Sequence, residues 1–118
     1  MVKQHLTTLQ RRTYTNRAAL KRKNYGKVRL SVFRSGRHIE IQAIDDANRV
    51  TLCAASSKEK DFKGKGWNIK GAEMVGKNFA ERVKKEKLTA VYFDRGGYRY
   101  HGRVKALAES IRAGGVKF

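Results

Sequence analysis

The segment Asp94-Arg95-Gly96-Gly97-Tyr98-Arg99-Tyr100-His101-Gly102-Arg103 holds the densest mixture of recognition groups in the chain: arginines, tyrosines and a histidine threaded through glycines. Glycine lets backbone approach a ligand closely, cations meet phosphate, and planar rings stack on unpaired bases. The composition therefore points to contact with RNA rather than to bond-breaking chemistry. The candidate contacts here are Arg95, Tyr98, Arg99, Tyr100, His101 and Arg103. A glycine-rich loop around a packed tyrosine would look similar, and composition alone does not separate the two.

Other groupings that resemble reactive centres lack something their chemistry needs. Gly71-Ala72-Glu73-Met74-Val75-Gly76-Lys77-Asn78 has the glycine and lysine spacing of a phosphate-binding loop. Yet Asn78 stands where a hydroxyl must reach magnesium, and the segment lies inside a helical pattern. Glu40, Asp45, Asp46 and Asp94 are strand-end carboxylates of the kind that gather metal ions in nucleases. Asp45-Asp46-Ala47-Asn48 is ordinary turn composition, however, and Asp94 ends a strand, where a carboxylate can accept backbone N–H groups. The histidines at 5, 38 and 101 suggest no metal cluster, and Cys53, the only cysteine, can form neither an internal disulfide nor a cysteine-based zinc site. The sequence thus predicts no catalytic residue, metal or cofactor, and a reducing compartment fits it.

Hydropathy periods define the elements that must position these residues. Val28, Leu30 and Val32 alternate with Arg29, Ser31 and Phe33, as in a half-buried strand. After the turn signal Ser35-Gly36, Ile39, Ile41 and Ala43 alternate with His38, Glu40 and Gln42. After a second turn, Val50, Leu52 and Ala54 alternate with Thr51, Cys53 and Ala55, which completes an antiparallel three-strand meander. Residues 58 to 66 read as an exposed loop. Asn68 caps a helix that ends near Lys87 and whose core stripe is Ile69, Ala72, Gly76, Phe79, Ala80 and Val83. The apolar run Ala90-Val91-Tyr92-Phe93 suits a strand entered through a right-handed helical crossover. A last helix buries Val104, Leu107, Ala108 and Ile111 and ends at Gly114-Gly115. The order β-β-β-α-β-α predicts an α/β fold in which a mixed sheet is flanked by helices. Arg29, Ser31, Phe33, His38, Gln42 and Thr51 share the sheet face away from the apolar stripe. An aromatic beside cations on that face makes Arg29, Ser31, Phe33, Arg34, His38 and Gln42 further RNA candidates.

The chain has 118 residues, the size of one domain, and carries 28 Lys plus Arg against 10 Asp plus Glu, a net charge of +18. Such an excess favours a polyanionic partner. No apolar run approaches the roughly 20 residues of a membrane-spanning helix. Every charged side chain before Glu40 is basic, and Arg11, Arg12, Arg17, Lys21, Arg22 and Lys23 are spread around any helix they could form. Residues 1–27 are therefore expected to be an RNA-binding arm, disordered alone and helical on RNA, ahead of one α/β domain at 28–118. The arm's arginine-rich, acid-free character is superficially that of an organellar transit peptide.

Arg29-Leu30-Ser31-Val32-Phe33-Arg34-Ser35 with His38-Ile39, and the run from Phe93 through Gly102-Arg103-Val104-Lys105-Ala106-Leu107-Ala108, closely resemble the family of large ribosomal subunit protein eighteen of the bacterial type. The resemblance spans nearly the whole chain, the basic arm included, so no added transit peptide is needed. It implies a non-catalytic protein that binds 5S ribosomal RNA and helps attach it to 23S ribosomal RNA in the central protuberance, beside neighbouring large-subunit proteins. It also implies a cytoplasmic ribosomal location, no membrane, no small-molecule substrate, and a sheet of order 3-2-1-4. A general nucleic-acid packaging protein and a metal-dependent nuclease are the rival readings of the residues themselves. The chain departs from the family in having Val28 where a proline usually precedes the first strand, and Trp67-Asn68 where Gly-Asn starts the helix. Trp67 either closes the end of the core or contacts RNA.

Overall fold

A computed structural model describes residues 7–23 and 26–118, with no side-chain description for residues 20–23. The elements are α1 (Thr8–Lys23), β1 (Val28–Arg34), β2 (Ile39–Asp45), β3 (Val50–Ser56), α2 (Ile69–Lys85), β4 (Val91–Asp94) and α3 (Gly102–Ala113). The sheet has the order β3-β2-β1-β4, with β1 antiparallel to β2, β2 antiparallel to β3, and β1 parallel to β4. The α/β class and the strand order expected from the sequence are both present.

One sheet face buries Leu30, Val32, Ile39, Ile41 and Ala43 against Ala72, Val75, Phe79 and Val83 of α2 and Val104, Leu107 and Ile111 of α3. The helices sit here because their apolar residues recur at helical spacing, which gives each a stripe that only the sheet and the other helix can cover. Asn68 caps α2 by accepting the Gly71 N–H at 2.7 Å. Gly115 takes the left-handed turn after α3, with φ of +99°.

Two expectations about the core need correction. Ile69 is 53% exposed, because it stands in the first turn of α2, before the stripe reaches the sheet. On β3 Ala55 is buried and Cys53 and Leu52 both pack against the core, whereas Val50 and Ala54, expected inward with Leu52, are exposed. Ala43 pairs with Cys53 but Ile44 pairs with Thr51, so Leu52 is the extra residue of a bulge that reverses the strand's parity. Val50, opposite Asp45 at the start of the edge strand, is 45% exposed, while Ala55 is buried at 2%.

The helix α1 starts with a reciprocal capping box: the Gln10 N–H donates to Thr7 Oγ1, and the Thr7 N–H donates to Gln10 Oε1. It approaches the second sheet face at β4. Arg17 Nε donates to Asp94 at 3.1 Å, and Asn16 Nδ2 donates to the Gly96 carbonyl at 2.7 Å. The approach needs a residue without a side chain at 97, since a Cβ on Gly97 would lie 2.4 Å from the Leu9 carbonyl oxygen.

Candidate nucleic-acid interface

Asp94 organises the start of the glycine-rich loop. Its side chain is fully buried; Oδ1 accepts the Gly96 N–H at 2.8 Å, and Oδ2 accepts from both Arg17 Nε and Arg29 Nη1 at 3.1 Å. Arg29 also grips Asp46 through Nε and Nη2, each at 3.1 Å. Burial opposes its charge, but the bonds to Asp46 and Asp94 hold its pKa above the ordinary arginine value. Arg29 therefore ties β1, β4 and the β2–β3 turn together, and its guanidinium is committed to carboxylates rather than turned to solvent.

The other nuclease candidates are likewise engaged. Glu40 pairs with Lys58 and accepts from Ser56, while Asp45 accepts from Asn48 and the Ala47 N–H in its turn, which lowers its pKa. Among the described residues no cluster of His, Cys, Asp and Glu could hold a metal ion.

A groove of about 750 Å³ opens where the start of α1, the end of β1, the start of α2 and the loop before α3 converge. It is lined by Arg12, Arg34, Arg99 and Arg103 with Trp67, Tyr98 and His101, and no carboxylate lines it. Trp67 is 55% exposed with Lys65 Nζ 5.3 Å from its ring centre, so it belongs to this groove and does not close the core. The N-terminus of α3 opens here too, because His101 makes no side-chain capping bond and the first-turn N–H groups add positive potential. The clefts beside α2 and α3 differ, since Glu73 and Glu109 stand on their walls. A phosphate backbone favours the groove without acids.

Within the groove, two expected contacts have structural duties. Tyr98 hydrogen-bonds through its hydroxyl to both the N–H and the carbonyl of Arg34, at 3.3 and 3.2 Å, and Arg34 lies over its ring at 5.1 Å. Its ring is thus a loop anchor, and Arg34 is the exposed partner. Arg103, expected to face phosphate, donates to the carbonyls of Gly66 and Ser35 at 2.8 Å and of His38 at 3.5 Å. Burial first, and the like charge of Arg34 second, lower its pKa, although it stays protonated at any working pH. It staples the β1–β2 turn and the 58–66 loop to α3. Arg103→Ala is accordingly expected to lower stability by about 1 to 3 kcal/mol, because it orphans carbonyls that a charged donor satisfies. Urea denaturation of the purified protein would check this, and an unchanged midpoint would return Arg103 to the ligand-facing set.

The remaining candidates are spread out. Phe33 is 54% exposed and Gln42 is exposed, with Ser31 half-buried between β2 and β4 on the same face. His38 is half-buried, its Nδ1 3.1 Å from Ser57 Oγ. Arg95 is exposed, and Tyr100 packs beside Phe93 and Arg112. Arg11 projects from α1 into solvent, while the side chains of Lys21, Arg22 and Lys23 lie outside those described. Leu9 and Ile69 also line the groove, and nothing in the sequence pattern singles them out for it. For Trp67 the usable signal is the nearby lysine of a glycine-punctuated loop.

Residues 3–118 match the family described as "Ribosomal L18 of archaea, bacteria, mitoch. and chloroplast". The chain is 50% identical to "Large ribosomal subunit protein uL18" of Sphingopyxis alaskensis, over 97% of this chain and 98% of that protein. It is 53% identical to the protein of the same name from Maricaulis maris, with 92% of each chain covered, and 52% identical to that of Parvibaculum lavamentivorans, over 95% and 96%. No helix among the described residues is long and apolar enough to cross a membrane. The chain belongs to the ribosomal L18 family and is a non-catalytic structural constituent of the large ribosomal subunit.

Proposed function

We propose that this protein binds 5S ribosomal RNA and helps fasten it to 23S ribosomal RNA, with the acid-free groove as its shape-reading surface and residues 1–27 as a phosphate-binding arm. The observation that carries this reading is the convergence of Arg12, Arg34 and Arg99 with Trp67 and His101 in one groove. Guanidinium planes and exposed rings side by side suit unstacked bases and phosphates of a folded RNA better than they suit a uniform duplex. The resemblance to bacterial-type large-subunit protein eighteen supports the choice of 5S RNA, and the net charge of +18 supports contact with more than one RNA segment. The exposed sheet face around Phe33 is the surface for a second contact.

The charge by itself would also suit a general packaging protein, so the test is competition. Labelled 5S RNA bound to the full chain at physiological salt should resist displacement by another structured RNA of equal length or by duplex DNA, by roughly a thousandfold in competitor concentration. Equal displacement by all competitors would sink the 5S assignment and leave packaging in its place.

A further inference from the structure

Phe118 lies away from the groove, yet it is joined to the loop that lines it. Its ring stacks on Phe93 of β4, with centroids 5.6 Å apart and planes inclined by 18°. The Arg112 guanidinium sits 4.5 Å above the same ring and donates from Nη1 to the Tyr100 hydroxyl at 3.3 Å. Tyr100 in turn meets Phe93 edge-on, with centroids at 6.4 Å. Tyr100 is flanked by Arg99 and His101, both of which line the groove. The start of this loop is held by Asp94 and Asn16, and its middle by Tyr98, whereas the stretch at 99–101 is held, among the described residues, by the His101 N–H bond to the Arg99 carbonyl and by this aromatic group.

We propose that Phe118 is a positioning residue for RNA binding: by clamping Arg112 and Phe93 it fixes Tyr100, and through Tyr100 it sets where Arg99 and His101 stand in the groove. A flexible loop would have to be ordered on binding, and that ordering weakens affinity even when every group that meets the RNA is still present. Arg112 covers the Phe118 ring and at the same time donates from Nη1 to the Tyr100 hydroxyl, a pair of roles that the compact ammonium of lysine does not reproduce.

The inference rests on the proposed RNA-binding reading, so its test has an arm that needs no RNA. In the free, full-length protein, Phe118→Ala should raise amide hydrogen exchange in the peptide covering residues 99–101 while the protection of α2 and β1 stays the same. With 5S RNA the same variant should bind on the order of three- to tenfold more weakly, with an unchanged salt slope because every cation that meets phosphate is retained. Phe118→Tyr should restore both measurements, and Arg112→Lys should reproduce the loss. Phe118→Leu, which keeps an apolar side chain at the site, covers the case in which the alanine variant fails to fold. Unchanged exchange at 99–101 in a folded Phe118 variant overturns the clamp, as does full affinity in Arg112→Lys. If the parent shows no preference for 5S RNA, the functional reading fails while the exchange arm still decides whether the clamp exists.

Discussion

Replacing Asp94 with Ala is expected to destabilise the protein by about 3 to 5 kcal/mol, the usual cost of removing one partner from a buried charged network. The carboxylate is fully buried and serves Arg17, Arg29 and the Gly96 N–H at once. Its loss leaves Arg29, with a side chain only 16% exposed, facing Arg17 without the charge between them, and leaves the Gly96 donor without its acceptor. Asp94→Asn should cost less, because an amide oxygen can still accept from Gly96. Denaturant melts of both variants would check the order. An alanine variant within about 1 kcal/mol of the parent would mean that solvent replaces the carboxylate and that the network is peripheral.

Deleting residues 1–23 should have its largest effect on binding. The deletion removes Lys3, Arg11, Arg12, Arg17, Lys21, Arg22 and Lys23. Each phosphate that is no longer neutralised lowers the slope of log affinity against log salt by ~0.7 for single-stranded RNA, so removing about four such cations from the interface should flatten it by about 3. The body should survive the truncation, since Asp94 keeps Arg29 and Gly96 and, among the described residues, the core between the sheet, α2 and α3 contains none from α1. Binding isotherms at several salt concentrations and a thermal melt would test both halves. A retained slope would show that the arm does not touch phosphate. Collapse of the body would show that the arm is part of the fold.

Legibility from sequence varies with the kind of interaction. Alternation in β1 and β2 and the helical stripes of α2 and α3 are side-chain patterns, so the elements and their inward faces can be read directly. The bulge at Leu52 is a backbone event; Val50, Leu52 and Ala54 keep perfect alternation, yet Leu52 packs against the core beside its neighbour Cys53 while Ala54 is exposed. Arg103 misleads for a related reason. A cation at a helix start beside a glycine-rich loop has the look of a phosphate ligand, but its partners are carbonyls at 35, 38 and 66, which carry no residue-type signal. The groove itself draws on stretches as distant as Arg12 and Arg103, so each part is visible in the sequence and their meeting is not. Asp94 accepting a backbone N–H is readable, whereas its two arginines, at 17 and 29, are not.

The outer rim of β3 also bears on how such a basic chain survives before it meets RNA. β3 is an edge strand, and an edge of unpaired backbone groups invites a second molecule to add its own strand. Here the Ala54 carbonyl already accepts Arg82 Nη1 at 2.6 Å, and Arg82 is held in place by both carboxylate oxygens of Glu59. The Leu52 bulge interrupts the straight run of the same strand. A strand added at this rim would have to displace Arg82 from the Ala54 carbonyl and straighten the bulge, which disfavours stacking of sheets between copies before assembly.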